Sequence, residues 1–209
     1  MTDLAIVIVS YNACAELEAC LTQLHNAPPE VSHTIVVVDN DSSDGSADTV
    51  RTRWPQVTLI TTGNNLGYAR ANNVGIRATK SSLVLLLNSD TVPPVGAIDQ
   101  LVNALKARPE VAIAGPRLID TAGRLEISFG PMLSPFRELW QKCLVLGHRR
   151  ALPVIAAFVE RQARTERFVD WVSGACLLVN RADAEAVNLL DERFFLYGED
   201  VDFCAAIRA

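Results

Sequence analysis

The residues best suited to chemistry sit where apolar runs break off into short polar side chains. Leu83 to Leu87 stop in Asn88-Ser89-Asp90, and Val36-Val37-Val38 stop in Asp39-Asn40-Asp41. "LAIVIVS" ends in Ser10-Tyr11-Asn12, and "VTLIT" runs into Thr62-Gly63-Asn64-Asn65. Any one of these is an ordinary Asx-type turn closing a buried strand. Four of them, two carrying acids, suit a ligand site. Asp39 can accept hydrogen bonds from a ribose or a base edge. Asp90 can give an anionic oxygen to Mn²⁺ or Mg²⁺, which favour carboxylates completed by substrate phosphates. Asn88 can add a neutral oxygen or orient a bound water. No GxGxxG follows the first apolar run and no GxxxxGK[ST] is present. The glycine-rich ways of cradling phosphates are thus excluded, which leaves a divalent cation as the simplest device.

These ends must be positioned by strands. Residues 4–10 and 34–40 are apolar, β-branched-rich runs, the pattern of strands covered on both faces, with 57–61 as a third strand and the apolar run 83–87 as a fourth. Helical spacing separates them: Leu17, Cys20, Leu21 and Leu24; Ala47, Val50 and Trp54; a segment over 69–79; then Ile98, Leu101, Val102 and Leu105. Strands alternating with helices predict an α/β chain, a Rossmann-like doubly wound, mostly parallel sheet with helices on both faces. In such sheets ligands bind beyond the carboxyl ends of the strands, where the four polar ends stand. A further strand is predicted at 111–115, weak alternation at 123–130, a strand pattern over 171–180, and a last helix from near Glu199. That helix is cut without a cap or a breaker, the pattern of a C-terminally truncated domain.

The 209 residues, 49% of them hydrophobic, are enough for one large domain with a substantial core. A net charge of −5 argues against a nucleic-acid partner. Five cysteines without a CxxC pair suit a reduced, cytoplasmic setting better than disulfides or zinc. No apolar run is long enough for a signal peptide or a membrane span. His25, His33 and His148 match no ligand spacing. Residues 136–167 hold seven Lys/Arg against three Glu, +4 locally in a chain that is otherwise −9. Charge runs are usually solvated faces. With Phe136, Trp140, Leu144 and Phe158 interleaved, this one also suits peripheral contact with anionic lipid headgroups.

"IVIVSYN", "VVVDNDSSDGS", "NNLGYARANNVG", "LLLNSDT", "WVSGACLLVN" and "FFLYGEDVDFC" follow in the order and spacing of glycosyltransferase family 2. The chain resembles these inverting GT-A-fold enzymes over nearly its whole length, and most of all their bacterial rhamnosyltransferase-like members. The resemblance implies transfer of a sugar, rhamnose first, from a UDP- or dTDP-sugar to a saccharide or lipid-linked acceptor in cell-surface polysaccharide or cell-wall synthesis. Residues 1–95 would be the nucleotide-sugar half, and 96–209 the acceptor-side, catalytic half of the same domain. Tyr11 would pack on the base and Asp39 bond to it, with Asn65, Gly67 and Asn72 lining the nucleotide. Asp90 matches the last acid of the family's metal motif, although Asn88 replaces its first. Glu199-Asp200 matches the catalytic motif, with Asp200 as the base that takes the acceptor proton and Glu199 supporting it, or the reverse. The same pair equally suits the N-terminus of a helix, where its dipole favours acids. Trp171, Gly174 and Ala175 would border the donor sugar and acceptor, with Trp171 as readily a core residue. Two competing readings are a sugar-1-phosphate nucleotidyltransferase and a non-catalytic nucleotide-sugar-binding module.

Overall fold

A computed structural model of the chain describes residues 2–132, 160–161 and 163–209. Six strands form one sheet in the order β3 (Thr58–Thr61), β2 (His33–Asp39), β1 (Leu4–Ser10), β4 (Leu83–Asn88), β10 (Cys176–Asn180) and β5 (Ile113–Ala114). Its left part is the parallel half expected from the apolar runs: β1 (Leu4–Ser10), β2 (His33–Asp39), β3 (Thr58–Thr61) and β4 (Leu83–Asn88). β1 is central, and its side chains are at most 9% exposed, which is why it reads as a continuous apolar run. The helices α1 (Cys14–Asn26), α2 (Ser46–Arg53), α3 (Tyr68–Arg77) and α4 (Ala97–Lys106) make the crossovers. One core layer packs Leu17, Leu21 and Leu24 of α1, and Ile98, Val102 and Leu105 of α4, on one face of the sheet. A second gathers Val7, Ile76, Leu86, Leu177 and Phe203 on the other. Helices therefore cover both faces, as the doubly wound reading requires.

The departure from a purely parallel sheet lies in the second half. The strand pattern of 171–180 divides into β9 (Trp171–Val172) and β10 (Cys176–Asn180), with Ser173-Gly174-Ala175 between them. β10 runs antiparallel to β4 and to the short β5 (Ile113–Ala114). Cys176 pairs with Leu87, so the residues just before β10 lie beside the end of β4. The weak alternation of 123–130 gives two short strands, β7 (Leu125–Glu126) and β8 (Phe129–Gly130), paired with β6 (Leu118–Ile119) and β9 respectively. α5 (Arg181–Ala186) and α6 (Glu199–Arg208) complete the described chain. Arg181 reaches back from α5 and donates to the carbonyls of Ser81 and Ile76, closing the end of α3.

No helix among the described residues is long and apolar enough to cross a membrane. Residues 136–159 of the basic segment, with Cys143 and His148, lie outside the described residues. Cys14, Cys20, Cys176 and Cys204 are free thiols. Burial pushes the Cys20 and Cys176 thiols up to about 12, so both act as small apolar core groups.

Candidate active site

The loops after β1 and β2 are stitched to each other. Asn12, held at φ 50°, accepts the Ser43 N–H through Oδ1 at 2.8 Å, and its own N–H donates to Ser42 Oγ at 3.0 Å. Asp44 Oδ2 accepts the Cys14 N–H at 2.8 Å, and Oδ1 accepts the Ser46 hydroxyl at 2.5 Å. The Ser46 hydrogen bond, above all, holds the Asp44 carboxyl below its usual range. Asn12 and Asp44 are therefore loop ties.

The carboxylate of Asp39 is 4% exposed. Oδ2 takes the Ser42 N–H at 3.2 Å, while Oδ1 is buried without a partner among the described residues. A buried carboxylate oxygen lacking a donor is costly unless a ligand supplies one. The neighbouring Asn40 does structural work. Its Nδ2 donates to Asn65 Oδ1 at 2.9 Å, and its Oδ1 accepts the Leu66 N–H at 2.9 Å. Asn65 Oδ1 also accepts the Gly67 N–H at 3.0 Å. One amide pair thus fixes the Gly/Asn loop to the end of β2 and places the start of α3.

A cleft of about 220 Å³ opens over these ends. Of the residues singled out from sequence, Tyr11, Asn65, Gly67, Asn88 and Asp90 line it, joined by Asn40, Tyr68, Phe195 and Leu196. Tyr11 is half exposed and presents an aromatic ring at the cleft. Gly67 is required by geometry: φ is +80°, and a Cβ there would meet the Phe195 carbonyl oxygen at 2.5 Å. Asn72 stands apart from the cleft wall. It is 1% exposed in α3 and donates to the Tyr68 carbonyl at 3.0 Å.

The antiparallel entry of β10 brings the distant motifs to the same place. The Ala175 carbonyl accepts the Asn88 N–H at 3.0 Å, which sets Ala175 against the strand end that carries Asp90. Gly174 is held from two sides: its carbonyl accepts the Tyr68 hydroxyl at 2.8 Å, and its N–H donates to Asp200 Oδ2 at 2.9 Å. Asp200 Oδ1 takes the Val201 N–H at 2.8 Å, so both carboxylate oxygens are oriented by backbone donors, one from the turn before β10 and one from the first turn of α6. Glu199 is 5% exposed and its Oε2 is buried without a partner among the described residues. Burial, and then the charge of Asp200, push its carboxyl up. Burial likewise pushes the Tyr68 phenol up, with Glu199 and Asp200 adding to it. Trp171 belongs to the core: it is 9% exposed and donates from Nε1 to the Pro131 carbonyl at 3.0 Å.

Tyr68, Phe195 and Leu196 were not singled out from sequence. Tyr68 reads as one more apolar-face residue of α3. The exposed apolar stretch Phe195-Leu196-Tyr197 directly before an acid pair was the available signal for the other two. As a cation site the described residues offer a sparse donor set. Asp90 is exposed at the cleft, Asn88 Oδ1 is buried and unpartnered, and no cluster of three or more His, Cys, Asp or Glu stands among the described residues. This fits a Mn²⁺ or Mg²⁺ ion that shares its coordination with a diphosphate and does not fit a self-sufficient protein cage.

The profile for Glycosyl transferase family 2 matches residues 5–145. The N-acetylglucosaminyl-diphospho-decaprenol L-rhamnosyltransferase of Mycobacterium tuberculosis is 35% identical over 97% of this chain, which spans 69% of that protein. The low-salt glycan biosynthesis hexosyltransferase Agl10 of Haloferax volcanii is 26% identical over the whole chain, which spans 62% of it. The mannosyltransferase PcManGT of Pyrobaculum calidifontis, solved with GDP-Man and Mn²⁺, superposes over 99% of this chain and 52% of its own, with TM-score 0.65 and 18% identity. TarS of S. aureus, residues 1–349, superposes over 98% of this chain and 55% of its own, with TM-score 0.66 and 14% identity. The family profile covers the strand-end motifs, and the two relatives are matched over nearly the whole chain. The chain belongs to glycosyl transferase family 2 and is a glycosyltransferase with the GT-A fold.

Proposed function

We propose that the protein is an inverting transferase that moves rhamnose from dTDP-rhamnose to a lipid-linked N-acetylglucosamine acceptor in cell-wall or surface-polysaccharide synthesis. One observation carries the reading: Gly174 and Ala175 join the β4 end bearing Asp90 to the carboxylate of Asp200. A diphosphate leaving group and an acceptor hydroxyl brought to these two acids are linked through the two adjacent residues Gly174 and Ala175. The choice of rhamnose and of a lipid-linked acceptor rests on likeness to the mycobacterial rhamnosyltransferase, whose name specifies a diphospho-decaprenol acceptor.

The chemistry follows from the residues. Tyr11 offers its ring to the face of the base, and the unpartnered Oδ1 of Asp39 takes a base N–H. Residues 1–95 supply most of this donor wall. Asp200, held by two backbone N–H groups, faces the acceptor hydroxyl and takes its proton as the new C–O bond forms at the anomeric carbon. The opposite C–O bond breaks, and its electron pair leaves on the nucleoside diphosphate. Asp90, with Asn88 beside it, would hold Mn²⁺ or Mg²⁺, which when bound supplies positive charge against the leaving diphosphate. Glu199, buried behind Asp200, supports the position of the base. The protein works at the cytoplasmic face of the membrane, with the basic segment 136–167 against anionic headgroups. Pelleting with anionic but not neutral vesicles is expected, and no pelleting at low salt removes that part.

The test is thermal stabilisation by UDP, dTDP and GDP, each with and without Mn²⁺, followed by transfer from dTDP-rhamnose to an N-acetylglucosaminyl-diphospho-polyprenol. Metal-dependent stabilisation with a preference for dTDP, and a product of inverted anomeric configuration, are expected. Stabilisation by no nucleotide, even with metal, overturns the donor site; a product of retained configuration overturns the role of Asp200.

A further inference from the structure

Helix α3 carries a set of polar residues that the chemistry above does not use. Asn73 is fully buried, which for an amide demands partners. It finds them on one residue of the loop leading to α6. Asn73 Nδ2 donates to the Leu190 carbonyl at 2.8 Å, and Asn73 Oδ1 accepts the Leu190 N–H at 3.1 Å. A single side chain thereby satisfies both backbone groups of Leu190, in a stretch where Asn188 and Leu189 both have positive φ. Two residues on, Glu192 closes the grip. Its Oε1 accepts Asn73 Nδ2 at 3.1 Å and Arg77 Nη1 at 2.9 Å, and its Oε2 accepts Arg70 Nε at 3.1 Å. Further along, the Tyr68 N–H donates to the Phe195 carbonyl at 2.7 Å.

These bonds fall at successive turns of one helix and reach one loop. That loop supplies Phe195 and Leu196 to the cleft and then delivers Glu199 and Asp200. Its backbone at 188, 189, 197 and 198 lies in the left-handed region, which is sterically disfavoured for non-glycine residues. A loop so shaped keeps its form only if something outside it over-determines it. Residues Arg70 and Asn73, which lie in the nucleotide-side motif of the sequence, here face the loop.

We propose that Asn73 and Glu192 are positioning residues: together they clasp residues 188–198 to α3 and so fix where the Glu199-Asp200 pair stands relative to the donor cleft. The clasp rests on the transfer reading only for its effect on rate; its effect on the loop does not need it.

The test combines amide hydrogen exchange over 188–198, the Kd for dTDP in the presence of Mn²⁺, and kcat for transfer from dTDP-rhamnose. In Glu192→Ala, exchange over 188–198 is expected to rise about tenfold while that of β1 is unchanged, since local opening is governed by the contacts of that segment. With it, kcat falls about tenfold and the dTDP Kd stays within about twofold, the split expected of a residue that acts through the catalytic loop. Glu192→Gln, which keeps an oxygen for Asn73, recovers part of both effects. Unchanged exchange in the loop overturns the proposal. So does a dTDP Kd that weakens as much as kcat falls, which would put Arg70 and Asn73 on the donor. If Glu192→Ala does not fold, Arg77→Gln removes one donor from an exposed side chain and must move loop exchange in the same direction. If the wild-type chain transfers no rhamnose, the substrate reading fails while exchange and dTDP binding still decide the clasp.

Discussion

The carboxylate of Asp200 accepts the backbone N–H of Gly174 at 2.9 Å. Asp200 opens α6, and Gly174 sits in the turn before β10, 26 residues earlier in the chain. Because β10 enters antiparallel beside β4, this one bond ties the acid pair to the strand end that carries Asp90.

Asp200→Asn tests the base. Its one amide oxygen can still accept the Gly174 N–H but leaves the Val201 N–H unpaired, so a stability loss of about 1 kcal/mol is expected while the dTDP Kd holds. Transfer should fall by about 10²–10⁴-fold, the usual worth of a general base. Transfer within a few-fold of wild type would assign the proton to another group.

Glu199 gives a pH-dependent signature. Its carboxyl is pushed up by burial and by Asp200, so the folded state holds that proton to higher pH than the unfolded chain does. The stability linked to it is fully present below the unfolded value of about 4.3 and is lost as pH rises through the folded value. Glu199→Gln is therefore expected to raise Tm relative to wild type at pH 8, with the difference vanishing toward pH 4. A lower Tm at pH 8 would mean that the ionised form is stabilised in the fold.

Asp90→Asn should fold as wild type does, since Asp90 is exposed and makes no hydrogen bond or ion pair among the described residues. It is expected to abolish the extra thermal stabilisation that Mn²⁺ gives to dTDP, which in the wild type is at most about 2.7 kcal/mol at a dTDP concentration one hundred times its Kd with metal. An undiminished metal effect would move the cation elsewhere.

Gly67→Ala and Gly75→Ala separate two reasons for glycine. At Gly67 the cost combines the positive φ with a clash on the Phe195 carbonyl, and a loss of about 2 kcal/mol or more in urea unfolding is expected. At Gly75, alanine gains about 1 kcal/mol of helix propensity. There its Cβ would stand 2.4 Å from Val7 Cγ1 and 3.1 Å from Val38 Cγ2. Overpacking at about 1–3 kcal/mol outweighs that gain, so net destabilisation is expected. A more stable Gly75→Ala protein would show that β1 can yield.

Much of the fold was legible in local pattern. Buried parallel strands must be apolar on both faces, so β1, β2 and β4 declared themselves within a residue of their ends. The family, and with it Asp39, Asp90 and the Glu199-Asp200 pair as candidates, was legible in six motifs and their order. Trp171, in contrast, was balanced between core and acceptor side, because an indole suits both; only its burial and the Pro131 bond place it in the core. Asn72 and Asn73 are indistinguishable as neighbours in sequence. Their partners, the Tyr68 carbonyl and the loop at Leu190, are decided by the direction each side chain takes from α3.

Local pattern was enough for the parallel half of the sheet, the helices that cover it and the polar strand ends, because each follows from periodicity and burial within some ten residues. Tertiary structure alone decided how the distant motifs meet. The split of 171–180 into two strands, the antiparallel seat of β10 against β4, and the clasp between α3 and the 188–198 loop are pairings across long separations. Hydrogen-bond partners of this kind are selected by packing, and no spacing along the chain encodes them.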